Sequence, residues 1–321
     1  MNIEEYRTAF LNYLDKNIDI KEPPNLYTPI NYIMTLGGKR MRPILVLMGC
    51  HLFSEEYENA MEAAMSVEMF HNFTLIHDDI MDSANLRRGK ETVHKKWNLN
   101  TGILSGDALM IMSNQRLEHY NGSTFKSLIS LYNKTALEVC EGQQLDIDFE
   151  ERSDVKLEEY IKMISFKTAV LVAAALKMGS IVAKAVPDDQ QRVYDFGLNL
   201  GIAFQLQDDY LDTYGGEDFG KQIGGDILEG KKTFLFIKAL EAADDNDKKR
   251  LLSFYQSESD YKGKVEDVKF IFNKYGVDKM LLSEIEEYTD AALNDIQRLS
   301  IPSEKKNLLK EFALNLMNRT T

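Results

Sequence analysis

The chain has 321 residues, 44 % of them hydrophobic and 28 % charged, enough apolar content for a sizeable core and too much for a disordered chain. Its net charge of −13 lacks the basic footprint that nucleic-acid binding requires. Two distant cysteines, Cys50 and Cys140, exclude a disulfide framework or a CxxC metal site.

Along the chain, MNIEEYR at the N-terminus lacks the basic-then-apolar pattern of a signal peptide, so a cytoplasmic protein is expected. GGKRMRP at 37–43 gathers three cations beside two glycines, where backbone can approach a ligand closely. Between Pro43 and Pro187 there is no proline, which favours a long run of helices. EEYENAMEAAMSVEMFHNFTLIH (55–77) has helical periodicity, and Val67, His71, Thr74, Asp78 and Asp82 form one stripe of that helix. LIHDDIMD (75–82) therefore puts carboxylates on a line whose earlier members face the core, with Asp79 about 100° around. NLRRGK (85–90) supplies a second basic group in one short loop. AVLVAAALKMGSIVAKAV (169–186) carries Lys177 and Lys184 and is expected to be a buried helix rather than a membrane span.

QLQDDYLD (205–212) then repeats the first acidic motif, with Asp208, Asp209 and Asp212 continuing a stripe of Val193, Phe196, Leu200 and Phe204. EGKKT (229–233) adds the third basic group. No series of alternating β-branched runs joined by tight turns is present, so the expected fold is all-α without a strong internal boundary. Carboxylates grouped on apolar helices repel one another unless a cation compensates, and an all-oxygen ligand set suits Mg²⁺ better than Zn²⁺. Mg²⁺ commonly bridges one or two carboxylates to substrate phosphates, and arginine grips phosphate oxygens in bidentate fashion. The expected ligand is thus a phosphate ester held by metal and cations.

The ordered set GGKRMRP, LIHDDIMD with LRRG, FKT, FQLQDDYLD and EGKKT resembles the trans-isoprenyl diphosphate synthases. The resemblance implies a single-domain helical bundle over residues 1–321 around a deep central cavity, working as a homodimer. It implies substrates of isopentenyl diphosphate and an allylic diphosphate, with no nucleic acid and no transmembrane segment. It implies three Mg²⁺ ions, with Asp78, Asp82 and Asp208 as direct ligands and Asp79, Asp209 and Asp212 completing the motifs, partly through water. Arg87, Lys167, Lys221 and Lys231 match contacts to the allylic diphosphate. Lys39, Arg42, His71 and Arg88 match the isopentenyl diphosphate site. Thr168 and Gln205 match residues lining the reacting carbons, so Lys167, Thr168, Gln205, Asp78 and Asp208 form the implied catalytic set.

Bulk just before the first motif limits the product in that family. Phe73, with Phe70 and Thr74, implies an all-trans chain of fifteen to twenty carbons, twenty favoured. Three rivals stay open. One is a terpene cyclase or coupling enzyme, and another a non-catalytic partner subunit of a prenyl synthase. The third is a di-iron bundle built on Glu68-x-x-His71 and Glu91-x-x-His94.

Overall fold

A computed structural model describes residues 2–18, 21–216, 223–256 and 263–318. In chain order the helices are α1 (Ile3–Asn17), α2 (Pro24–Thr35), α3 (Met41–His51), α4 (Met61–Met81), α5 (Val93–Lys96), α6 (Leu99–Arg116), α7 (Gly122–Glu150) and α8 (Leu157–Ile164). They continue with α9 (Val170–Val182), α10 (Pro187–Tyr214), α11 (Gly225–Glu229), α12 (Phe234–Ala242), α13 (Asp245–Gln256), α14 (Lys264–Lys274), α15 (Val277–Gln297) and α16 (Ser303–Met317). The one sheet among the described residues is a hairpin of β1 (Leu86–Arg87) and β2 (Lys90–Glu91). The fold is all-α, as the missing strand signals and the long proline-free stretch lead one to expect.

Local sequence accounts for several helix starts. Asn2 and Glu5 form a reciprocal capping box at α1, each side chain accepting from the other's backbone N–H. Asn98 caps α6 by accepting from the Thr101 N–H at 2.9 Å. Pro24 and Pro187 stand at the first positions of α2 and α10, where no N–H is needed.

The chain forms two compact units interleaved in sequence. The first comprises 1–134 and 174–191, the second 135–173 and 192–321. The first unit centres on α4, whose residues from Met61 to Phe70 are buried without interruption. A helix apolar on all sides belongs inside a protein, and α4 is covered by α3 and α6. The second unit has its core around Phe149, Tyr160, Phe234, Phe236, Phe272 and Leu281, with α12 buried through its first four residues. The run Leu157–Val182 is long and apolar enough to cross a membrane, but 67 % of its most apolar window is buried in the protein. No other described helix passes that test.

Candidate active site

In the first unit, the first acidic motif closes α4. Asp78 and Asp79 lie in its last turn and Asp82 is its C-cap. A helix C-terminus carries partial negative charge, so three carboxylates there are unfavourable without cations nearby. One cation comes from the protein. Asp79 is 1 % exposed and takes both Nε and Nη2 of Arg87, at 2.9 and 2.7 Å. The segment expected to be a plain loop is the β1–β2 hairpin. Its two-residue turn, Arg88-Gly89, has φ of 53° and 73°, the doubly positive pattern of a type I′ turn. The hairpin is what carries Arg87 back onto Asp79 and sends Arg88 elsewhere.

Arg88 reaches the loop before α3. Its guanidinium donates to the Gly37 carbonyl and fills the space beside Gly38, where a Cβ would lie 2.6 Å from its Cζ. Lys39, Arg42, His71 and Arg88, all predicted from sequence, line one open cavity of about 530 Å³ together with Arg40 and Glu68. Four cations face one carboxylate there. Arg42 Nη1 lies 3.1 Å from His71 Nε2. Burial, and then Arg42, Arg88, Arg87 and Arg40, hold the His71 imidazole well below its ordinary pKa, so the ring is neutral and accepts at Nε2. Burial also lowers Arg42 and Arg88 from their ordinary values. A cavity so short of negative charge suits a multiply charged anion.

In the second unit, Asp208, Asp209 and Asp212 occupy the last two turns of α10. Asp209 is again the buried member, at 5 % exposed, but its partners are neutral. Tyr160 OH donates to Oδ2, and Gln205 Nε2 donates to Oδ1 at 3.2 Å. Burial and the charge of Asp226 push the Asp209 carboxyl well above its ordinary range, against those two hydrogen bonds. Asp212 accepts the Asp226 N–H at the start of α11, at 3.0 Å.

Lys167 and Thr168 sit in a π-helical turn, Ser165–Ala169, inserted between α8 and α9. Gly142 of α7 packs against that turn, and a Cβ there would lie 2.2 Å from the Lys167 backbone nitrogen. Lys167 pairs with Asp146, and Thr168 Oγ1 lies 3.4 Å from Gln205 Oε1. Lys231 Nζ lies 2.9 Å from Glu229 and 3.6 Å from Asp226. Burial works to lower Lys231, but Glu229 and Asp226 outweigh it and hold the ammonium above its ordinary value. Lys167, Thr168, Gln205 and Lys231, predicted from sequence, line a second cavity with Asp209 and Asp226. Lys221 lies outside the described residues.

Residues 23–274 match the family described as polyprenyl synthetase. The chain belongs to the polyprenyl synthetase family. Relatives described as geranylgeranyl diphosphate synthase match this chain over most of its length and theirs. That of Sulfolobus acidocaldarius is 36 % identical, covering 95 % of this chain and 94 % of its own. That of Saccharolobus solfataricus is 39 % identical, covering 90 % and 87 %. A solved geranylgeranyl pyrophosphate synthase superposes with a TM-score of 0.95 at 48 % identity, over 100 % of both chains.

Sequence reasoning missed several residues of the site. Arg40 stands inside GGKRMRP and Asp226 three residues before EGKKT, so the motifs were visible but these two roles were not. Asp146 has only its place four residues after Gly142 to mark it. Tyr160 carries no signal, because a tyrosine on an apolar helix reads as core. Glu68 was considered only for a di-iron site. The structure pairs it with Arg40 instead, and no group of three or more His, Cys, Asp or Glu side chains among the described residues is arranged to hold a metal by itself.

Proposed function

We propose that this enzyme joins isopentenyl diphosphate to an allylic diphosphate head to tail, releasing a short all-trans prenyl diphosphate of fifteen to twenty carbons, twenty favoured. Its membership among prenyl-transferring synthases and the description of its relatives support this. The observation that carries the assignment of sites is the contrast between the two cavities. One sets four cations against a single carboxylate and suits a diphosphate bound directly. The other mixes Asp146, Asp209 and Asp226 with Lys167 and Lys231, and suits a diphosphate that arrives with metal.

The donor set fits Mg²⁺. Asp78 and Asp82 share a helix face, every ligand atom is oxygen, and no three such side chains among the described residues close a shell by themselves, leaving positions for water and phosphate. Asp78, Asp82 and Asp208 would hold three ions with Asp79, Asp209 and Asp212 in support. Bound there, Mg²⁺ would neutralise the diphosphate as it leaves the allylic carbon.

The protein's own residues do the rest. Lys167 and Lys231, fixed by Asp146 and Glu229, place positive charge at the leaving oxygens, with Arg87 on Asp79 and Lys221 assigned to the same ligand. The Thr168 hydroxyl and the Gln205 carbonyl, 3.4 Å apart in the same cavity, would offer oxygen lone pairs to the allylic cation that remains. Lys39, Arg42 and Arg88 hold isopentenyl diphosphate, with His71 beside them, while its double bond attacks. The departed diphosphate then takes the proton that is lost.

We place residues 1–321 in one catalytic domain, because neither unit holds the full motif set, and the enzyme in the cytoplasm as a homodimer. The rivals, a cyclase and a silent subunit, have little use for the cationic cavity of the first unit. The test is to incubate the enzyme with Mg²⁺, labelled isopentenyl diphosphate and each allylic primer in turn, then size the products. A twenty-carbon product that disappears with chelator is expected. Failure to elongate any primer would overturn the proposal. Light scattering of the same sample reads the dimer.

A further inference from the structure

Glu68 has no ligand role in the function just proposed, yet it lines the cationic cavity from α4. Glu68 is 2 % exposed. Its Oε1 takes Arg40 Nη1 and also Asn72 Nδ2 at 3.1 Å. Arg40 Nη2 donates to the Met34 carbonyl, so both terminal nitrogens of that guanidinium have partners inside the protein. Arg40 is thus a cation that the fold consumes, unlike Lys39 beside it.

Its backbone explains what the fold gains. Arg40 is the N-cap of α3 and stands in the left-handed region at φ 52°, which costs a non-glycine residue and persists only where the surroundings hold it. The buried pair with Glu68 and the bond to Met34 supply that hold. Lys39 and Arg42 flank Arg40, so its backbone sets where both side chains start. His71 acts on the same loop from the next turn of α4, accepting from Arg42 Nη1. The Nε atoms of Arg40 and Arg42 are both buried without a hydrogen-bond partner.

We propose that Glu68 is a positioning residue for the isopentenyl diphosphate site. Glu68 fixes Arg40 and with it the left-handed entry to α3, from which Lys39 and Arg42 reach the cavity. The inference rests on the assignment of this cavity to isopentenyl diphosphate.

The test uses the full-length enzyme, steady-state kinetics in each substrate, and thermal unfolding. Arg42→Ala checks the underlying assignment, because it must raise KM for isopentenyl diphosphate. If it does not, the cavity is wrongly assigned and the inference falls with it. If it does, the remaining variants judge the inference alone. Replacing a buried ion pair by apolar residues often restores stability that breaking one partner removes. Arg40→Met with Glu68→Leu should therefore melt above Glu68→Leu alone. It should still show KM for isopentenyl diphosphate raised about tenfold, with kcat and the allylic KM within about twofold. Recovery of that KM together with Tm would make the pair merely structural and overturn the proposal.

Glu68→Gln keeps the shape and removes the charge, so it serves if the double variant does not fold. An unchanged KM for isopentenyl diphosphate in Glu68→Gln would likewise overturn it.

Discussion

The two acidic motifs have the same spelling and the same place at the C-terminal end of a helix, and the protein treats them differently. In α4 the buried aspartate, Asp79, is met by a full positive charge from Arg87. In α10 its counterpart, Asp209, is met by a phenol and an amide, with Asp226 adding negative charge nearby. A carboxylate satisfied by an arginine is neutralised before any ligand arrives. One satisfied by neutral donors has its hydrogen bonds but no counter-charge, so its ionised form is disfavoured and gains more from an incoming cation. The first motif is internally balanced at its centre, and the second is left to be balanced from outside.

The comparison can be broken at the outer aspartates first. Asp78→Ala and Asp208→Ala should each lower turnover by roughly a thousandfold or more while far-UV circular dichroism stays helical, if both motifs serve one charged leaving group. Near-normal turnover in either variant removes that motif from the metal site. A smaller effect sharpens the contrast at the inner aspartates. Arg87→Ala strands a buried carboxylate and should cost about 3 kcal/mol in urea unfolding. Tyr160→Phe removes one neutral donor of two and should cost about 1 to 2 kcal/mol. If Tyr160→Phe proves the costlier, charge is not what distinguishes the two motifs.

A further consequence concerns pH. The His71 pKa in the fold lies below the ordinary value of 6.5, so above that pH both folded and unfolded chains carry it neutral. Below it the unfolded chain takes a proton that the fold refuses, and stability falls with pH by at most about 1.4 kcal/mol per unit. Unfolding of wild type and His71→Gln between pH 5 and 8 should differ in slope only on the acid side. Parallel curves would contradict the neutral imidazole.

The smallest expected change is in product length. The Phe73 ring lies 4.8 Å from His77 and 5.5 Å from Phe70, and Phe70 in turn meets Tyr132 edge-on at 5.5 Å. Phe73→Ala should lengthen the main product by at least one isoprene unit, with Phe70 left braced behind it. If Phe73→Ala changes nothing and Phe70→Ala lengthens the chain, Phe70 is the floor. If neither does, the limit lies on another helix.

Much of the scaffold was legible because helix periodicity is local. Val67, Asp78 and Asp82 could be put on one α4 stripe from spacing alone, and the missing strand signals pointed to an all-α fold. Lys39, Arg42, His71 and Arg88 were gathered from three segments by motif, and they do line one cavity. What remained hidden is pairing across distance. Nothing in the sequence joins Tyr160 to Asp209 or Arg40 to Glu68, because each pair meets only when different helices pack. The hairpin escaped notice because two-residue strands leave no alternation to detect, and Arg88 occupies a turn position that usually belongs to Asn, Asp or Gly. The division into two interleaved units was equally invisible, since its boundaries at 134/135, 173/174 and 191/192 fall inside helices.

The π-turn at Ser165–Ala169 amounts to one residue more than a regular helix would hold at that point. An α-helix advances about 100° per residue, so losing a single residue there would let the turn relax into ordinary helix and swing the positions beyond it by about that angle. Local backbone bonding would improve while Lys167 and Thr168 left their partners. Gly142 on one side and Gly201 on the other, each too close to the turn to carry a Cβ undisturbed, are shaped to the irregular path and not to the regular one. A one-residue deletion within Ser165–Ala169 would thus leave the helix intact while taking Lys167 from Asp146 and Thr168 from Gln205.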